Sequence, residues 1–333
     1  MLVCGGTDLT EHIGMNKPIV SILLLACLCV AAFLIVDNRR VLMIHLIVLS
    51  GGESPALLTA SEELASTRWH DDYFTIDEIA PATYAIGEPR YYQQNYSYLI
   101  VGKTKALLFD AGPGLRNIRK VAESLTDLPI IFLPSHFHYD HVGNGIEFDE
   151  LAVIDLPYLR QRAQGNQLAF TDMEHLGAAE GFDTPQWQID YWWQPGELVE
   201  LGARTVQIIH TPGHSKESIS ILDSENQLVL SGDYLYPGML YAFVPGSSMQ
   251  DYASTADVLL AGAAGLDYYG AHRVEPPGPP KLSRQDLLEL KQALQKMRLG
   301  DLSSEGIWPA EFKVNDNLTI LADPRFLQDW QVD

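Results

Sequence analysis

Cysteine is nearly absent from this chain: 333 residues hold three, Cys4, Cys27 and Cys29. All three lie ahead of residue 30, so the rest of the chain has no disulfide framework and no cysteine to ligate a metal. Basic residues are also scarce, 22 Lys and Arg against 43 Asp and Glu. A surface that grips phosphates needs the opposite balance, which argues against nucleic acid as a partner. No internal repeat or low-complexity tract stands out. Apolar residues make up 47% of the chain, an ordinary share for a globular protein and enough to bury a sizeable core. The length allows one large domain or two small ones.

Metal-capable side chains are concentrated at one point. Ser135-His136-Phe137-His138-Tyr139-Asp140-His141 follows the apolar run Ile130-Ile131-Phe132-Leu133, closed by Pro134. The run reads as a buried strand ending in a loop. His136 and His138 are two apart and point the same way in an extended loop. Asp140 and His141 turn toward a neighbouring point, so one cluster can serve two adjacent cations. Imidazole and carboxylate are ligands that zinc, manganese and iron accept. A lone histidine here would be packed or exposed. Three with an aspartate, left unpaired at the foot of a buried strand, would carry a desolvation cost, so this stretch predicts a metal site.

The pattern His-x-His-x-Asp-His resembles the signature of the metallo-β-lactamase fold superfamily. That resemblance implies three later ligands: a His, an Asp and a His. His210 closes the strand-like run Thr205-Val206-Gln207-Ile208-Ile209 and opens Thr211-Pro212-Gly213-His214. Asp233 follows Leu228-Val229-Leu230-Ser231-Gly232, and His272 follows Tyr268-Tyr269-Gly270-Ala271. The implied fold is an α/β, αββα sandwich. The implied centre has His136, His138 and His210 on one zinc ion, Asp140, His141 and His272 on a second, and Asp233 bridging. His214 is read as a turn-steadying residue and not as a ligand. Asp110, after Ala106-Leu107-Leu108-Phe109, either caps a following helix or steadies the ligand loops; the resemblance implies the second. Tyr236, three residues after Asp233, stands where lactonases of this family carry a carbonyl-polarising tyrosine. Packing at a loop rim is the competing reading.

Ahead of this body lies the one long hydrophobic run, residues 19–36, IVSILLLACLCVAAFLIV. It meets the ~17–25 residues a spanning helix needs, and no polar stripe marks it as a core helix. Lys17 and the small residues within the run also fit a cleaved signal peptide, with Met15 as the start. The reading favours a retained transmembrane helix, so a membrane partner. Arg39 and Arg40 follow the run while Asp8 and Glu11 precede it, which by the positive-inside tendency puts the body in the cytoplasm. A single leader before a hydrolase body points instead to export, periplasmic or extracellular. The expected division is an anchor or signal segment over 1–50, a linker over 51–80 and a catalytic domain over 81–333.

Within the body, strands are predicted at Thr83–Ile86, Tyr96–Val101, Ala106–Phe109 and Leu151–Ile154, and a helix over 115–125. A hairpin joins 218–222 to 228–230, a helix spans 249–264, and Ser283 with Asp286 starts another helix. A closing hairpin turns at Asn315-Asp316-Asn317. Residues 155–196 are aromatic without a clean period; they either help cover the site or pack a subdomain. Glu174 and His175, in this segment, are read as exposed.

The resulting expectation is a dinuclear zinc hydrolase of a small carbonyl substrate: an ester, thioester, lactone or amide. Asp140 also orients the nucleophile. The alternatives are β-lactamase-type activity, an iron-dependent oxidoreductase on the same ligands, and a non-catalytic anchored binding module. Iron and manganese remain open beside zinc.

Overall fold

The computed structural model describes residues 17–331, with the side chains of 17–20 and 22–24 excepted. Cys4, Asp8, Glu11 and Met15 lie outside the described residues. An eight-stranded sheet and a six-stranded sheet pack over a shared core, and a three-stranded sheet closes the C-terminal side. Strand Leu228–Gly232 shows why the sequence builds two layers. Leu228 and Leu230 point into the core between the sheets, while Val229 points to the other face, onto the helices Met249–Leu260 and Arg284–Leu299. A two-residue period, apolar on both sides, is what a strand buried on both faces requires.

Both helices begin as their sequences predict. Ser248 accepts from the Asp251 amide, and Ser283 forms a reciprocal capping box with Asp286. Gly300 ends the second helix in the left-handed conformation. Helix Arg119–Glu123 is shorter than its periodicity suggests; of the apolar face Leu115, Ile118, Val121 and Leu125, Ile118 and Val121 are buried and the other two are half-buried. The hairpins Ile219–Asp223 with Leu228–Gly232 and Ala310–Lys313 with Leu318–Ala322 are antiparallel neighbours. Residues 75–80, which composition assigned to the linker, pair with Thr83–Gly87 as a strand.

The transmembrane-helix expectation is corrected. Among the described residues no helix is long and apolar enough to cross a membrane. Helix Lys17–Asp37 gives way at Asn38 to helix Arg39–Leu49. The helix therefore no longer supports a membrane partner.

Arg39 and Arg40, read from sequence as topology signals, instead converge on the fully buried Asp323. Arg39 Nε lies 2.7 Å from Asp323 Oδ1 and Arg40 Nη2 2.5 Å from Oδ2, while Trp308 Nε1 donates to Oδ1 at 2.7 Å. Ile44 then packs with Tyr139, Leu176 and Val244. Further along, Glu63 pairs with Arg273 at 2.6 Å, so the segment before the body is tied to it at several points.

These contacts define a stability prediction. Burial disfavours the charged Asp323 carboxylate, but Arg39, Arg40 and Trp308 outweigh that and hold its pKa below the ordinary value. A depressed carboxylate contributes stability above its unfolded pKa of ~3.9, and that stability is lost as pH falls through the lower folded value. Acidification below about pH 4 is expected to release helix Arg39–Leu49 early, read as hydrogen exchange in residues 39–49. Asp323→Ala is expected to cost about 2–3 kcal/mol at neutral pH. That is less than the ~3–5 of a fully buried pair, because both arginines keep some exposure.

Candidate metal centre

Strand pairing assembles the site. Ala106–Phe109 and Ile130–Leu133 run parallel, with Phe109 opposite Leu133, so Asp110 and the 135–141 loop leave the sheet at the same edge. In the second sheet Leu228–Gly232 runs parallel to Asp267–Gly270, with Gly232 opposite Gly270, which brings Asp233 and His272 out side by side. The two edges meet where the Ile219 amide donates to the Ser135 carbonyl at 2.8 Å.

Alternation in the motif sorts its side chains. Phe137 turns away from the histidines and stacks on Phe170 at 4.2 Å, and Phe170 meets Trp187 edge-on at 4.7 Å. Such aromatic pairs contribute ~0.5–1.5 kcal/mol each beyond their buried area. So Phe170 and Trp187 of the aromatic segment pack beneath the loop. Phe182 instead stacks on Tyr139 at the rim. Tyr91, Tyr92 and Tyr139 all donate to the Glu180 carboxylate, fastening that rim. Glu174 is taken by Arg162 and by the Thr171 cap, and His175 is buried, not exposed.

Among the described residues three groups of ligand-capable atoms result: His136, His138 and His214; His136, His141 and Asp233; and Asp140, His141 and His272. All seven residues are buried. His138 Nδ1 lies 2.9 Å from His136 Nε2 and 3.0 Å from His214 Nε2. Asp233 stands between the outer groups. Its Oδ2 is 3.5 Å from His214 Nε2, and its Oδ1 is 3.1 Å from His272 Nε2 and 3.4 Å from His141 Nε2. Asp140 Oδ2 is 3.4 Å from both His141 Nε2 and His272 Nε2.

The structure does not bring His210 to this cluster. Its Nε2 donates to the Lys216 carbonyl at 2.8 Å, closing the 211–216 loop from outside. His214 takes the place expected for it. Pro212 ends the strand, and Gly213, at φ 143°, lets the loop pass against Tyr252, where a Cβ would come within 2.7 Å of backbone. That turn carries His214 inward. The signal was present in Pro-Gly-His, where the break at Pro212-Gly213 frees His214 to turn inward.

Tyr236 packs edge-on to His272 at 5.1 Å, but its hydroxyl donates to the Met239 carbonyl and not to the cluster. Asn95 was not singled out by sequence. Its amide donates to Asp140 Oδ2 at 3.1 Å and to the Asp140 carbonyl at 2.8 Å.

The histidines are oriented from behind. His214 Nδ1 donates to the Tyr241 carbonyl at 2.7 Å and His272 Nδ1 to the Gln93 carbonyl at 3.1 Å. A carbonyl only accepts, so in the neutral rings Nε2 carries the lone pair. Asp110 Oδ2 lies 2.9 Å from His141 Nδ1, and its Oδ1 accepts the Ser135 amide at 2.6 Å. Burial lowers the His136 and His138 pKa values, reinforced by the neighbouring histidines, so both rings are neutral. Burial works against a charge on His141 too, but Asp140, Asp233 and Asp110 outweigh it and raise its pKa.

His141 Nε2 and Asp233 Oδ1 are buried with no hydrogen-bond partner of standard geometry. Close-set imidazole nitrogens beside acceptor-only carboxylates are a donor set that a hard or borderline divalent cation satisfies, so the residues present fit a metal. Ligand-orienting carboxylates typically contribute 10–100-fold to metal affinity. Asp110→Asn is expected to weaken binding by about that factor, measured by competition with a chromophoric chelator.

Residues 90–299 match the metallo-beta-lactamase superfamily, and the chain belongs to that family. It is 28% identical over 191 residues to an acyl-coenzyme A thioesterase, MBLAC2, of Homo sapiens, covering 49% of this chain and 66% of that protein, just under two thirds. It is 26% identical over 152 residues to the hydroxyacylglutathione hydrolase GloC of Haemophilus influenzae, covering 44% of this chain and 69% of that protein. A metallo-beta-lactamase from Pontibacter korlensis superposes with a TM-score of 0.50 at 12% identity, over 67% of this chain and 99% of that one. At that identity the likeness is one of fold.

Proposed function

We propose that this chain is a metal-dependent hydrolase that holds two divalent cations, zinc first among them, and cleaves a thioester or a related small ester. The observation that carries the reading is the position of Asp233, with one oxygen toward His214 and the other toward His141 and His272. That is the placement a carboxylate needs to join two sites.

In this reading His136, His138 and His214 would hold one ion. Asp140, His141 and His272 would hold the other, with Asp233 between the two groups. A zinc pair supplies Lewis acidity, lowering the pKa of water to ~7 and polarising a carbonyl oxygen. The chain's own residues prepare the site. Tyr241 and Gln93 carbonyls fix the ring orientations of His214 and His272. Asn95 donates to the Asp140 carboxylate, which in this reading would orient an attacking water. Burial of all seven groups lowers the local dielectric, which strengthens every charge interaction there. Thioesters lead because the names of two relatives, a thioesterase and a hydroxyacylglutathione hydrolase, both describe thioester cleavage.

Elemental analysis of purified protein, paired with a turnover screen on thioesters, alkyl esters, lactones and a β-lactam, tests the reading. About two zinc ions per chain and metal-dependent thioester turnover are expected. A metal-loaded protein inert on every member would reject it, and an iron content with oxygen consumption would favour an oxidoreductase.

A further inference from the structure

A cavity of about 240 Å³ opens beside His138, lined among others by Tyr158, Met173, Ser215, Glu217 and Pro245. Glu217 is 3% exposed. The Tyr158 hydroxyl donates to its Oε2 at 2.9 Å, while Oε1 is buried with no hydrogen-bond partner of standard geometry. Lys216 lines the same cavity but is itself exposed, and Arg162 is held by Glu174 at 2.7 Å. Neither is paired with Glu217. Burial and the nearby Glu174 charge push the Glu217 carboxyl up, against the Tyr158 and Ser215 hydroxyls.

A buried carboxyl oxygen left open costs free energy unless something occupies it. A loop that only needed packing here could carry an apolar residue. Met173 and Pro245 supply apolar wall on the same cavity. The cavity touches a proposed metal ligand, so what fills it is contiguous with whatever reacts at the centre.

We infer that Glu217 is a specificity-determining residue: it accepts a hydrogen bond from an N–H or O–H on the part of the substrate seated beyond His138. This rests on the hydrolase reading and narrows it, to esters or thioesters bearing an amide or hydroxyl donor a few atoms from the scissile carbonyl. Simple alkyl thioesters lack that donor. Tyr158 positions Glu217 and does not meet the substrate's reacting atoms.

The test uses the full chain and two non-hydrolysable thioethers. One is the S-(2-oxopropyl) derivative of N-acetylcysteamine, and the other is its counterpart with CH₂ in place of the amide N–H. Calorimetry on zinc-loaded and metal-free protein should show the N–H ligand binding at least about fivefold more tightly, since an unmade hydrogen bond at a buried acceptor typically costs that much. Glu217→Leu should erase the difference, and Glu217→Gln, which keeps a carbonyl acceptor, should retain most of it. Equal binding of the two ligands by the wild type, or a preference that survives in Glu217→Leu, overturns the inference. Turnover of the matching thioesters separates the two readings. Hydrolysis of both without discrimination removes the role of Glu217 and leaves a hydrolase. Hydrolysis of neither, with the wider ester, lactone and β-lactam screen also silent, rejects the hydrolase, while the binding comparison still decides Glu217.

Discussion

His214→Ala is expected to lower zinc-dependent hydrolysis by about a thousandfold or more, while His210→Ala retains most of it. Lewis-acid stabilisation contributes several kcal/mol to such reactions, and each 1.36 kcal/mol is tenfold in rate. His214 Nε2 faces His138 Nδ1 at 3.0 Å inside the cluster. Removing it leaves His136 and His138 as the imidazoles of that group. His210 donates one hydrogen bond to a loop carbonyl, and its loss should cost about 1 kcal/mol of stability. Parallel kinetics and zinc content on the two variants check this. A dead His210→Ala beside an active His214→Ala would reverse the assignment.

The second large effect is expected at Asp233. Asp233→Asn keeps the size of the side chain and removes the charge that faces three histidines. Zinc content should fall from about two ions per chain toward one, and turnover by at least about a hundredfold, since an amide is a poor bridge between two cations. The variant has a signature in the metal-free state as well. Burial disfavours a charge on His272, and Asp233 with Asp140 overcomes it, raising that pKa. Without Asp233 the ring should lose its proton more readily, which NMR titration of the metal-free protein can follow.

Much of this site was legible because its parts are local. His136, His138, Asp140 and His141 sit within six residues after a strand, and Asp233 and His272 each end a strand whose apolar run is plain. Parallel pairing of those strands then brings the ends together. The choice between His210 and His214 is not local in that sense. It depends on Gly213 turning against Tyr252 and on the Lys216 carbonyl capturing His210, contacts that strand periodicity does not encode.

The contacts of the N-terminal segment were hidden for a related reason. Arg39 and Arg40 carry the composition of a topology signal, but their partner Asp323 is 283 residues beyond Arg40. Hydropathy alone cannot register an acceptor so far along the chain. Asn95 and Glu217 were also silent in sequence, because a single Asn or Glu carries no spacing until the fold places it.

The most direct test of a shared two-cation centre is anomalous diffraction at the zinc edge from crystals of metal-loaded protein. Two peaks are predicted: one among His136, His138 and His214, the other among Asp140, His141 and His272, with the two oxygens of Asp233 divided between them. A single peak, or a zinc ion bound to His210, would contradict it.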